Sequence, residues 1–143
     1  MARILVVANV TLGGEHLTDL LRQRLEDDSC TIHVLVPASP DPAQWVDDEM
    51  QDIQLARDRL HTALQRFGAL GCEVTGETAE GRPVDAVGDV LRRESFDEII
   101  ISTLPVGPSR WLHADVVSRL QRAVTIPVTH VVGTVEPTTA RSS

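Results

Sequence analysis

The apolar residues of this chain recur with two alternating spacings. Short, nearly continuous runs rich in valine and isoleucine favour strands that are buried on both faces. Between them, apolar residues recur every three or four positions, which is the spacing of an amphipathic helix. The strands predicted in this way are Ile4 to Val10, Thr31 to Val36, Cys72 to Thr78, Ile99 to Ser102 and Val128 to Val132.

Four helices are predicted between these strands. The third opens with a proline, which suits the first turn of a helix, and Gly71 follows the last apolar residue of the second as a plausible stop. They span Glu15 to Asp27, Asp47 to Leu70, Pro83 to Glu94 and Ser109 to Ala123.

Regular alternation of strands and helices predicts an α/β fold. Strands of this buried type form a parallel sheet with helices on both faces, a three-layer αβα sandwich. The length of 143 residues fits one domain, which we place at residues 1–133. The polar stretch 134–143 is predicted to be a mobile C-terminal tail.

Charge and composition narrow the classes of function. All 13 basic residues are arginine, which excludes chemistry that needs a lysine Schiff base or a lysine-containing phosphate loop. The formal net charge of −8 argues against nucleic acid and anionic membranes as partners. Residues 103–143 nevertheless carry four arginines against two acidic residues. We therefore expect any site for an anion in this part of the chain rather than in residues 1–102.

Cysteine usage and the N-terminal residues bear on the compartment. Cys30 and Cys72 show no C-x-x-C spacing and are expected to be reduced and buried. The first apolar run is too short for a transmembrane span, and we see no signal peptide before it. The sequence therefore predicts a cytoplasmic protein.

No catalytic or metal-binding pattern stands out. The five histidines include no pair with the spacing of a helix-borne HxxxH site, so we expect no bound metal. A G-x-S-x-G motif is absent, and no nucleophile is paired with a base. We therefore expect neither a catalytic residue nor a cofactor.

The predicted ligand crevice lies at the carboxyl ends of the first and fourth strands, where the strand order reverses. Two prolines stiffen the segment after the fourth strand before it presents Arg110 and Trp111 at a helix start. This pair is either a clamp for an anion or partner protein, or a solvated arginine beside a core tryptophan. The crevice residues are Asn9, Val36, Thr103, Ser109, Arg110 and Trp111.

Several segments together resemble the universal stress protein family over essentially the whole chain. Gly81 to Val87 resembles the family's glycine-x-proline turn and the helix after it, Asp97 to Thr103 its fourth strand, and Ile126 to Val128 the entry to its last strand. Asn9 stands where the family usually has an aspartate. The resemblance implies a sheet order of 3-2-1-4-5 and a homodimer formed through the last strand.

ATP-binding members of that family carry the pattern G-x2-G-x9-G-S/T after the fourth strand. Laid on this chain without a gap, its glycines fall on Ile101, Leu104 and Ala114, and its hydroxyl residue on Asp115. All four positions differ from the pattern, although Gly107, Ser109 and Arg110 still resemble the glycine-x-serine-arginine inside the family loop. The resemblance therefore implies the fold without ATP binding.

Three functions remain open on the sequence alone. The first is a non-catalytic, dimeric stress-response or regulatory module that does not bind ATP. The second is a binder of a small anion, a carboxylate or a single phosphate, in the crevice. The third and weakest is a hydrolase of nucleotide-like substrates, since no nucleophile is visible.

Overall fold

The computed structural model of the protein describes residues 2–8, 15–37, 49–79, 83–103 and 114–132. Strands and helices alternate along the chain in the predicted order. The elements are β1 (Ala2–Val7), α1 (Glu15–Asp27), β2 (Cys30–Pro37), α2 (Glu49–Gly68), β3 (Glu73–Ala79), α3 (Pro83–Arg93), β4 (Glu98–Thr103), α4 (Ala114–Ala123) and β5 (Val128–Val132).

The strands form one parallel sheet in the order β3-β2-β1-β4-β5. The chain winds outward from β1 to β3, returns across the sheet through α3, and ends at the opposite edge. The α/β fold class and the 3-2-1-4-5 order are therefore confirmed.

The ends of β1, β2 and α2 differ from the predicted boundaries by three, one and two residues. β1 ends at Val7, short of the predicted Val10. β2 extends to Pro37, which is its last residue and lies opposite Ala79. A proline is tolerated there because pairing with β1 has already ended at Leu35. α2 ends at Gly68, and Gly71, with a φ of 98°, turns the chain towards β3.

Two hydrophobic cores lie on the two faces of the sheet. One packs beneath α1 and α2 and includes Leu21 and Phe67, both fully buried. The other packs beneath α3 and α4 and includes Val87 and Leu120. Successive residues of β1 point to opposite faces of the sheet. Ile4 and Val6 lie in the core beneath α1 and α2, and Leu5 and Val7 lie in the core beneath α3 and α4. This is why the strand reads as a continuous apolar run.

An ion pair joins α1 to the amino end of β4. Arg24 donates two hydrogen bonds to the Glu98 carboxylate, at 3.0 and 2.9 Å, and the Thr129 hydroxyl of β5 donates a third. The Glu98 side chain is only 15% exposed. The hydrogen bond from Arg24 is the main reason that the pKa of Glu98 lies below its ordinary value, and it outweighs the effect of burial.

Candidate functional site

The predicted crevice lies where β1 has β2 on one side and β4 on the other. Ala8 follows β1 there and donates its N–H to the Leu35 carbonyl at 3.3 Å. Ser102, near the end of β4, is fully buried. Two small buried side chains, those of Ala8 and Ser102, therefore lie at the carboxyl ends of β1 and β4.

The structure describes two of the six predicted crevice residues. Val36 is fully buried in the core beneath α1 and α2, so its side chain supports the crevice floor and offers no polar group. Thr103 is the last residue of β4 and lies opposite Val132. Asn9, Ser109, Arg110 and Trp111 lie outside the described residues.

The amino end of α4 begins with two positions of the family's ATP pattern. Ala114 is the first residue of this helix and Asp115 the second. The amino end of a helix carries a partial positive charge that attracts anions, and an aspartate in the first turn already supplies one.

The first position of that pattern lies inside a strand. Ile101 is fully buried within β4, with neighbours Val7 on β1 and His130 on β5. The segment after β4 starts only beyond Thr103, so Ile101 cannot lie in a phosphate-binding loop. The gap-free alignment therefore places the first glycine of the family's loop pattern on Ile101, in the core of the sheet. Leu104, the second position of the pattern, lies outside the described residues.

A polar cluster on the α3 face of the sheet was not predicted as a unit. We call His33, Thr75, Glu77 and Arg93 the His33 cluster. His33 on β2 is only 8% exposed, and its ring nitrogens lie 2.8 Å from Thr75 Oγ1 and 2.8 Å from Glu77 Oε2 on β3. Arg93 of α3 donates to the same Glu77 oxygen at 2.7 Å. The cluster therefore links β2, β3 and α3.

The ionisation of Glu77 decides which ring nitrogen of His33 carries the hydrogen between them. Burial alone would raise the pKa of Glu77, but hydrogen bonds from Arg93 and His33 outweigh it and lower that pKa. An ionised carboxylate only accepts, so His33 Nε2 carries the hydrogen towards Glu77. In the neutral ring, Nδ1 then accepts from the Thr75 hydroxyl. Both ring nitrogens are engaged, which makes His33 a partnered, largely buried histidine that has no nitrogen left for a ligand.

Two shallow cavities flank this cluster. One of about 270 Å³ is lined by Arg3, His33, Thr75 and Glu94 among others, and one of about 260 Å³ lies between the carboxyl half of β3 and α3. Arg3 is held over the Phe96 ring, 5.1 Å from its centroid, and pairs with Glu94 at 2.7 Å. Arg3 and Glu94, two of the charged groups that line the first cavity, are thus already paired with each other.

Sequence reasoning missed Thr75 and Glu77 as partners of His33, and Arg93 as a partner of Glu77. His33 lies opposite Thr75 in the β2–β3 register, and that register comes from the folded sheet. The polar alternation of Thr75 and Glu77 along β3 is the one signal in the sequence that marks this face as partly exposed.

Metal and membrane features were searched over the described ranges of the chain. They contain no group of three or more histidine, cysteine, aspartate or glutamate residues able to hold a metal ion. Across the same ranges, none of the helices has both the length and the apolar character that crossing a bilayer requires.

Comparisons with known proteins give matches at the level of structure. No protein-family model and no curated protein sequence matches this chain. A universal stress protein from Archaeoglobus fulgidus superposes with a TM-score of 0.65 at 15% identity, covering 92% of this chain and 93% of that one.

Two further solved structures contain nucleotides. A universal stress protein in complex with cAMP matches with a TM-score of 0.60 at 17% identity, over 93% of this chain and 99% of its own. A universal stress protein family protein from Arabidopsis thaliana with AMP bound matches with a TM-score of 0.59 at 13% identity, over 97% of each chain. At such low identity the likeness establishes architecture, and this chain has the fold of the universal stress proteins.

Proposed function

We propose that this chain is a non-catalytic, homodimeric regulatory module of the universal stress protein fold that does not bind ATP. The proposal is supported by the amino end of α4, where the family's ATP pattern, when laid on this sequence without a gap, falls on Ala114 and Asp115. A glycine and a hydroxyl residue at these positions would let backbone and side chain approach the phosphates. Alanine adds a side chain there, and aspartate adds a negative charge.

The negative charge of Asp115 is expected to weaken ATP binding substantially. A like charge about 4 Å from a phosphate costs roughly 1 to 4 kcal/mol between water-like and surface-like dielectrics. That corresponds to a loss of affinity of about fivefold to a thousandfold. A triphosphate has more negative charge to place near Asp115 than a monophosphate has, so ATP is disfavoured most.

The proposed dimer rests on β5. This strand pairs with β4 on one side and ends the sheet on the other. Its sequence, Val-Thr-His-Val-Val, includes no charged carboxylate, arginine or proline that would discourage edge pairing. A second copy of the same strand is a suitable partner for such an edge.

A second candidate function is the binding of a small anion with a single phosphate or carboxylate. Two of the similar structures contain cAMP and AMP, and each of these ligands has one phosphate group. Arg110, in the segment that leads to α4, is the residue we expect to hold such a group.

Calorimetric titration of the full chain separates the two candidates. We expect ATP with magnesium to show no saturation below millimolar concentration, while saturation by AMP or cAMP at lower concentration would select the second candidate. An Asp115→Ser variant should gain affinity for ATP. Asp85→Ser, which changes an aspartate in the first turn of α3, is the matched control and should gain none.

Micromolar ATP binding by the unmodified protein would overturn the proposal. An Ile101→Gly variant would not test ATP binding, because Ile101 is a core residue of β4 and the loss of its side chain would destabilise the fold.

A further inference from the structure

The two cysteines lie side by side at the amino ends of adjacent strands. Cys30 is the first residue of β2, and Cys72 immediately precedes β3. The parallel register places Thr31 opposite Glu73, so one position earlier it places Cys30 opposite Cys72. Forty-one residues of sequence, including the whole of α2, separate two thiols that the sheet brings together.

Both side chains point to the same face of the sheet. Cys30, Ile32 and Val34 alternate into the core beneath α1 and α2, and Cys72 packs against that same core together with Val74. Burial raises the pKa of Cys72 first, and the neighbouring Cys30 raises it further.

The spacing of the strands suits a covalent link. Neighbouring strands lie about 4.7–4.9 Å apart, and disulfides join residues whose Cα atoms are about 4.4–6.8 Å apart. Both thiols are free in this structure. Cys30 Sγ donates to the Asp28 carbonyl at 3.4 Å, and Cys72 Sγ donates to the Phe67 carbonyl at 3.5 Å. Rotation of the two side chains away from these carbonyls would bring the sulfurs together.

The two thiols differ in access to solvent. Cys30 is 5% exposed, whereas Cys72 is only partly buried at the start of the edge strand β3. A small oxidant therefore reaches Cys72 first, and Cys30 is placed to react with the product from beneath.

We propose that Cys30 and Cys72 form a dithiol site that is reversibly oxidised to an intramolecular disulfide by small-molecule disulfides such as oxidised glutathione. The Cys72 thiolate attacks one sulfur of the oxidant, which releases one glutathione thiolate and leaves a mixed disulfide. The Cys30 thiolate then attacks the Cys72 sulfur and displaces the second glutathione. Two protein thiols are oxidised, and one small disulfide is reduced to two thiols.

The consequence for the fold is a clamp across the β2-α2-β3 unit. The link would close a long segment of chain at the amino ends of the two strands, which restricts the unfolded state more than the folded one. Reaction should be slow near neutral pH and faster at higher pH, because burial raises the pKa of both thiols and only the thiolate attacks.

The test is to incubate the full chain with oxidised glutathione and map its peptides by mass spectrometry. We expect a monomer-mass product that has lost two hydrogens, with Cys30 and Cys72 in one linked peptide, and recovery of both thiols on reduction. The oxidised protein should melt roughly 5–15 °C higher than the reduced protein.

Single variants distinguish the order of attack. Cys30→Ser should stop at the Cys72 mixed disulfide, whereas Cys72→Ser should take up glutathione many-fold more slowly. Cys30→Ala serves as a second variant in case the buried hydroxyl impairs folding. Accumulation of the mixed disulfide in the unmodified protein, or retention of both thiols after prolonged oxidation at pH 9, would overturn the proposal.

Discussion

At the scale of single residues, Gly76 is a position where the packing leaves no room for a side chain. A Cβ built there would lie 2.5 Å from Leu60 Cδ1 and 3.0 Å from the Val34 carbonyl oxygen. α2 therefore packs against β3 at a distance that only glycine allows. The Leu60 side chain can shift, but the Val34 carbonyl belongs to the sheet and cannot.

Replacement of Gly76 by alanine should destabilise the protein by about 1–3 kcal/mol, the usual cost of overpacking. The matched control is Gly68→Ala, since a Cβ at the end of α2 meets nothing within 4 Å. That control should be neutral or stabilise the protein by up to about 1 kcal/mol. Urea denaturation of both variants measures the difference, and equal stabilities would contradict the packing described for Gly76.

His33 shows how far the sequence predicts individual residues. A histidine in a strand is typically packed or at an edge, and the structure places His33 8% exposed with both ring nitrogens engaged. Its partners Thr75 and Glu77 both lie on β3, 42 and 44 positions away in sequence, and Arg93 of α3 joins the cluster through Glu77. A contact between distant side chains depends on strand register and helix placement, which apolar periodicity does not encode.

At the scale of elements, the Arg24–Glu98 pair fixes α1 against β4. Removing the arginine alone leaves a carboxylate that is 15% exposed without its main partner. We expect Arg24→Ala to cost about 1–3 kcal/mol. The Arg24→Ala/Glu98→Ala double variant should cost less than the sum of the two single changes, and a thermodynamic cycle from urea denaturation measures that coupling.

The same pair predicts a pH dependence. The folded pKa of Glu98 is lowered, so at acid pH the unfolded chain takes up its proton before the folded one does. The stabilisation is complete above the ordinary glutamate pKa of about 4.3 and is lost as pH falls through the lower folded pKa. Glu98→Gln should therefore show a shallower loss of stability below about pH 4. An unchanged slope would mean that other carboxylates carry the acid sensitivity.

The limits of a helix or strand were predicted correctly where they coincide with the limits of the apolar pattern. α1 and β5 have the predicted limits. β2 runs one residue further than its apolar run because a proline is acceptable once β1 no longer pairs with it. Of the predicted crevice residues, Val36 is a core residue and Thr103 ends β4, and the crevice itself stays a prediction.

At the scale of the whole molecule, the direction of backbone groups along β5 gives a test of the dimer. Ile99 of β4 donates its N–H to the Pro127 carbonyl. Backbone groups alternate sides along a strand, so Thr129 and Val131 face β4 while Val128 and His130 face away from it.

His130→Pro should therefore weaken the dimer while leaving the β4–β5 ladder intact. Val131→Pro is the matched control, since it removes an N–H directed towards β4 and should destabilise the monomer instead. Sedimentation velocity measures the assembly, and circular dichroism checks the fold. A wild-type protein that is monomeric at tens of micromolar, or a His130→Pro variant that remains dimeric, would rule out pairing through β5.

The winding of the sheet also bears on how the chain acquires its structure during synthesis. Among the described residues, those buried in the core beneath α1 and α2 come from positions 4–67, with Ile100 as the exception. The second core needs α3, β4 and α4 before it can close. When the chain has emerged from the ribosome as far as β3, it therefore contains nearly all residues of the core beneath α1 and α2. It contains only a few residues of the second core. The nascent protein would expose the other face of the sheet, including Leu5, Val7 and Leu35, until α3 and α4 emerge to cover it.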